Sequence, residues 1–105
     1  MLVGVLMKII SVIDFREAVE KDHKDALFHL GMMFFSGKRV PKNYPKAAKW
    51  FLKAANQGSL KAMYKLGEMY RYGDGVPQSD DEAVKWFRKA GEKEDTIVKI
   101  MNKIK

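Results

Sequence analysis

The feature that most constrains this chain is an internal repeat. Shifting residues 26–61 by 36 lays them on residues 62–97 without a gap. Leu30-Gly31 then falls on Leu66-Gly67, Met33 on Met69, and Gly37 on Gly73. Val40-Pro41 falls on Val76-Pro77, Lys49-Trp50-Phe51 on Lys85-Trp86-Phe87, and Lys53-Ala54 on Lys89-Ala90. A repeat of this length is one supersecondary unit that buries its apolar face only against its neighbours, so the chain should be a short solenoid.

Each unit reads as two helices. Leu27, Leu30, Gly31 and Phe34 stand at i, i+3, i+4 and i+7, one helical face, and Met63, Leu66, Gly67 and Tyr70 repeat it. Gly37 and Gly73 stand where these helices should stop, and the Val-Pro pairs bar their continuation. The second helices carry Ala47, Trp50, Phe51 and Ala54, and again Ala83, Trp86, Phe87 and Ala90. Asn43 and Ser79 are their expected N-caps; Glu82, three residues after Ser79, completes a capping box. Pro45 falls in a first turn, where proline is tolerated. Gly31 and Gly67 cost their helices about 1 kcal/mol each, which points to close helix–helix approach; Trp50 and Trp86 are the rings expected over them.

The ends extend the pattern. Phe15 and Ala18 align with Phe51 and Ala54, so residues 14–22 resemble the second helix of a worn half-repeat, and Leu6, Ile9, Ile10 and Ile13 continue its spacing. Ile97, Ile100, Met101 and Ile104 space a last short helix. The expected fold is all-α: a short α-solenoid of two helix-turn-helix repeats with N- and C-terminal capping helices. Its parts are an apolar segment and half-repeat cap (1–25), the first repeat (26–61), the second (62–94) and a C-terminal cap (95–105).

The pattern resembles the Sel-one-like repeat, a branch of the tetratricopeptide superfamily. That family carries a Leu-Gly pair, Met-Tyr, a Gly-x-Gly-Val loop and an Ala-x-x-Trp-aromatic-x-x-Ala-Ala-x-x-Gly helix. Here these are Leu66-Gly67, Met69-Tyr70, Gly73-Asp74-Gly75-Val76, and Ala47 through Trp50-Phe51 and Ala54-Ala55 to Gly58. Arg39 departs from the pattern where the second loop has Gly75, and the cysteine pairs of some secreted members are missing. The resemblance implies a non-catalytic adaptor that binds a protein or peptide on a concave face lined by first helices. Small members can also act as immunity proteins that neutralise a co-encoded bacterial toxin. A third reading is self-assembly, with exposed apolar ends stacking into a homodimer.

On the first helices, the side away from the core stripe carries Asp25, His29, Met32 and Ser36, then Lys61, Lys65, Glu68 and Tyr72. Phe28 and Phe35 flank it in the first unit, as Tyr64 and Arg71 do in the second. The expected partner-binding residues are His29, Met32, Phe35, Ser36, Lys65, Glu68, Arg71 and Tyr72. Met32 and Phe35 stand where the second unit has Glu68 and Arg71. They are either a patch that anchors a ligand or a surface covered by residues 1–13.

The chain carries 20 Lys and Arg against 13 Asp and Glu, a net charge of +7. Lys42, Lys46, Lys49 and Lys53 form a stripe along one helix, with Lys85, Arg88 and Lys89 echoing it. A solvated face accounts for such a stripe; an anionic partner is the functional alternative. No nucleic-acid motif accompanies it, and nucleic acid ranks last among the partners. His23 and His29 are six residues apart, against the i, i+4 spacing of a helical metal pair. The absence of cysteine removes thiolate chemistry. No serine lies in a nucleophile-elbow context, and Gly73-Asp74-Gly75 matches no phosphate loop. No cofactor, metal or catalysis is expected. The apolar run at residues 2–13 lacks a preceding basic region and is shorter than the roughly 20 residues that span a bilayer, so a cytoplasmic location without a membrane span is expected.

Overall fold

In the computed structural model of the chain, residues 23–103 are described, and residues 23–36 form helix α1. Helices α2 (Tyr44–Asn56), α3 (Leu60–Tyr72), α4 (Asp80–Lys89) and α5 (Glu94–Asn102) follow. No strand occurs among the described residues. The expectations for residues 1–22 and for Ile104 lie outside them.

The units close through the same local chemistry. Gly37 and Gly73 both end their helices in the left-handed region at φ 73°. The N–H of Gly37 donates to the Met33 carbonyl at 2.9 Å, and that of Gly73 to the Met69 carbonyl, which also accepts from the Asp74 N–H at 2.9 Å. The chain then returns to the helix it has left. Asn43 N–H donates to the Phe34 carbonyl at 2.8 Å, and Ser79 N–H to the Tyr70 carbonyl at 2.9 Å, a bond that recurs with the repeat. Asn43 and Ser79 cap α2 and α4 by accepting from Lys46 and Glu82 backbone N–H groups. Ser59, itself buried, caps α3 in the same way. Only half of the expected capping box forms. The Ser79 N–H is already bonded to Tyr70, and the Glu82 carboxylate pairs with Lys85 at 3.2 Å.

Two apolar clusters hold the helices. The larger joins Leu27 of α1, Ala47, Ala48, Phe51, Ala54 and Ala55 of α2, and Ala62, Leu66 and Met69 of α3. The smaller joins Ala83 and Phe87 of α4 to Ile97 of α5. Both pivot on a phenylalanine facing a glycine. A methyl group at Gly31 would lie 2.6 Å from the Phe51 ring, and one at Gly67 would lie 2.6 Å from the Phe87 ring. Close approach was expected at these glycines, but from the tryptophans. Trp50 and Trp86 are only half-buried, whereas Phe51 and Phe87 are fully buried.

The helical surface explains the correction. The neighbours of Phe51 one turn away are Ala47, Ala48, Ala54 and Ala55, so it occupies the centre of the apolar stripe. Those of Trp50 are Lys46, Ala47, Lys53 and Ala54, so it occupies the edge. Small residues around one large ring let adjacent helices pack against both sides of α2.

Candidate protein-binding surface

The eight residues expected to bind a partner all lie on α1 and α3, and the structure sorts them into two groups joined by a bridge. His29, Met32 and Ser36 share a shallow depression of about 370 Å³ with Met33, Lys38 and Arg39. Glu68, Arg71 and Tyr72 share another, of about 210 Å³, with Tyr64, Phe87, Ile100 and Lys103. Phe35 and Lys65 form the bridge. The Lys65 ammonium lies 4.3 Å from the Phe35 ring centroid and 3.6 Å from a Glu68 carboxylate oxygen.

These residues are not equally free to meet a ligand. His29, Ser36 and Tyr72 are exposed, and Met32 is half-buried. The Ser36 hydroxyl already donates to the Met32 carbonyl at 2.7 Å. Phe35 packs against Tyr44, with ring centroids 5.1 Å apart, and against Phe51 at 6.3 Å. Lys65 covers its other flank. Arg71 is engaged within the fold: one guanidinium nitrogen donates to Asp80 at 2.9 Å and another to the Met101 carbonyl at 2.8 Å, tying α3 to α4 and α5. Its side chain is only 12% exposed. Phe35 and Arg71 therefore shape the surface from beneath, while His29, Met32, Ser36, Lys65, Glu68 and Tyr72 present it.

Tyr64, in the wall of the second depression, has its phenol pushed above the usual tyrosine range by burial and, next, by the Glu68 carboxylate. Its phenol hydroxyl can donate a hydrogen bond. Among the described residues no cluster of three or more His, Asp or Glu could hold a metal ion. Among the same residues no helix is long and apolar enough to cross a membrane.

Two helix pairs of fixed length, each closed by a Gly–Phe contact between its own helices and stacked through the α2–α3 apolar cluster, define a short all-α solenoid. The Sel1 repeat family model matches residues 24–59 and 60–95, and the chain belongs to that family. The fold resembles the crystal structure of a Sel1 repeat protein from Oxalobacter formigenes: TM-score 0.63, 38% identity, over 65% of this chain and 28% of that one. It also resembles a protective antigen of uropathogenic Escherichia coli strains that displays an SLR fold: TM-score 0.65, 42% identity, over 73% of this chain and 16% of that one. This chain thus spans less than a third of either protein's length. No curated protein matches closely enough in sequence to extend the assignment. Proteins of this fold generally serve as protein-interaction scaffolds.

Proposed function

We propose that this protein is a non-catalytic adaptor that holds a segment of another protein along the exposed face of α1 and α3. The observation that carries this reading is the pair of depressions on those helices, joined by the Phe35–Lys65–Glu68 bridge. The face offers an apolar thioether at Met32, both signs of charge at Lys65 and Glu68, and exposed hydrogen-bonding groups at His29 and Tyr72. A mixed surface of this kind suits a peptide side-chain sequence better than a single small substrate.

The test is site-directed photo-crosslinking in the source cell. A photoreactive residue at position 29, 68 or 72 should trap one protein, and one at Gln57 or Asn102 should not. The Met32→Glu variant should reduce the yield while circular dichroism shows it still fully helical at the assay temperature. Equal trapping from the control positions, or trapping insensitive to Met32→Glu, would refute the assignment to this face.

A further inference from the structure

The lysine stripe of the second helix plays no part in the face just described, and the structure gives it a setting that the sequence did not suggest. Phe34 of α1 and Trp50 and Leu52 of α2 line an apolar groove of about 450 Å³, rimmed by Lys46, Lys49 and Lys53. Leu52 is 43% exposed, so its side chain is open to solvent at the groove. Two of the ammonium groups are drawn over the groove's own rings: Lys46 Nζ lies 5.5 Å from the Phe34 centroid and Lys53 Nζ 4.7 Å from that of Trp50. Helix α2 contains no Asp or Glu. Among the described residues every ion pair lies in α3, α4 or α5 or between them. Lys49 and Leu52 also line an adjoining depression of about 230 Å³ at the seam with the second unit, so the apolar strip continues towards Trp86.

This surface is not a by-product of the repeat. At the matching positions of the second unit, Lys46 becomes Glu82, Leu52 becomes Arg88 and Asn56 becomes Glu92. There Glu82 pairs with Lys85 at 3.2 Å and Arg88 pairs with Glu94. The second unit thus pairs Lys85 and Arg88 internally, repeats only the lysine over the tryptophan (Lys89 on Trp86, 4.6 Å), and leaves no exposed aliphatic side chain in that place. The first unit keeps both the cations and the apolar surface.

We propose that this groove is a second docking surface, and that its occupant is an acidic amphipathic segment of another protein. A large apolar side chain would seat on Leu52 and Trp50, with carboxylates directed at Lys46, Lys49 and Lys53. Charge complementarity selects the occupant. A second copy of this chain would bring a net charge of +7 to a face that is already cationic. A nucleic acid would use the cations but not the exposed aliphatic surface of Leu52, whereas an acidic amphipathic segment would use both. The proposal uses residues distinct from those of the α1–α3 face and stands whether or not that face binds.

The experiment is an amide NMR titration of the full chain with three probes: a synthetic amphipathic helix with glutamates around a Leu-Phe stripe, the same peptide with the stripe replaced by serine, and oligothymidylate. The amphipathic peptide should shift the Trp50 indole resonance and the α2 amides. Its affinity should fall as salt rises. It should weaken about tenfold or more in Leu52→Glu, a change at an exposed site that should leave the melting temperature intact. Four outcomes would overturn the proposal: no shift with the amphipathic peptide, equal affinity for the serine version, tighter binding of oligothymidylate, or an unchanged affinity in Leu52→Glu. Sedimentation showing a dimer that Leu52→Glu dissociates would assign the groove to a second copy and overturn it too.

Discussion

The two units share one backbone frame and differ in the chemistry they place on it. Phe35 and Tyr44 of the first unit occupy the positions of Arg71 and Asp80 in the second. The first pair meets ring to ring at 5.1 Å, and the second forms an ion pair at 2.9 Å. Both tie the end of a first helix to the start of the following one. The repeat geometry therefore demands a complementary pair at this place without dictating its kind. What lies beyond the pair accounts for the choice. Arg71 also reaches the Met101 carbonyl near the end of α5, where the partial negative charge of a helix C-terminus favours a cation. Phe35 instead lies beneath the Lys65 ammonium and beside Phe51.

The loops show a second contrast. Gly75 adopts φ 72°, and a side chain there would run into the backbone of Tyr44 and Pro45 in the first unit. The matching residue of the first loop, Arg39, adopts φ 67°, the one non-glycine residue with positive φ among the described residues. Glycine is retained where a loop must seat against the preceding unit's second helix.

The largest effect should come from the glycines that both units share. Gly31→Leu or Gly67→Leu drives a side chain into a buried phenylalanine ring and should abolish cooperative thermal unfolding; a normal melt in either would break the equivalence of the two Gly–Phe contacts. Next, Phe51→Ala and Phe87→Ala should each lose about 3–5 kcal/mol in urea unfolding. Trp50→Ala, at the half-buried edge, should lose about 1–2 kcal/mol; equal losses for Trp50 and Phe51 would return the tryptophan to the stripe centre.

The complementary pair can be exchanged between units. Phe35→Arg and Tyr44→Asp should each cost about 2 kcal/mol, and the double variant should recover about 1 kcal/mol of the summed loss. Strict additivity would show that the pairing is incidental. Arg39→Gly should raise stability by about 1 kcal/mol by relieving a left-handed residue. The smallest effect belongs to the exposed Arg88–Glu94 pair. The hydrogen bond from Arg88 holds the Glu94 carboxyl below its ordinary value of 4.5. Its stabilisation is therefore present above that value and is lost as pH falls through the lowered one. The melting-temperature difference between the parent and Glu94→Gln should accordingly be small at neutral pH and vanish in acid.

Much of the local structure was legible because it depends on residues close in sequence. The caps at Asn43 and Ser79 and the stops at Gly37 and Gly73 follow from side chains within three residues of the helix ends. Helix α5, Glu94–Asn102, carries Ile97, Ile100 and Met101 of the periodic run read at the C-terminal end. The candidate surface was legible only in part. Helical spacing placed all eight residues on α1 and α3, but it could not show that Arg71 turns inward to Asp80 and Met101, because those contacts span 9 and 30 residues. The shift of 36 does align Phe35 and Tyr44 with Arg71 and Asp80, and that covarying pair was the available signal.

Periodicity alone was enough to define an all-α solenoid, since a 36-residue unit of two helices can bury its apolar stripe only by stacking. Which ring entered the space above each glycine, whether a surface charge was paired internally, and how a lysine stripe came to rim an apolar groove were decided by packing. Those outcomes depend on what the neighbouring helix brings within a few ångströms, and residues far apart in the chain supply it.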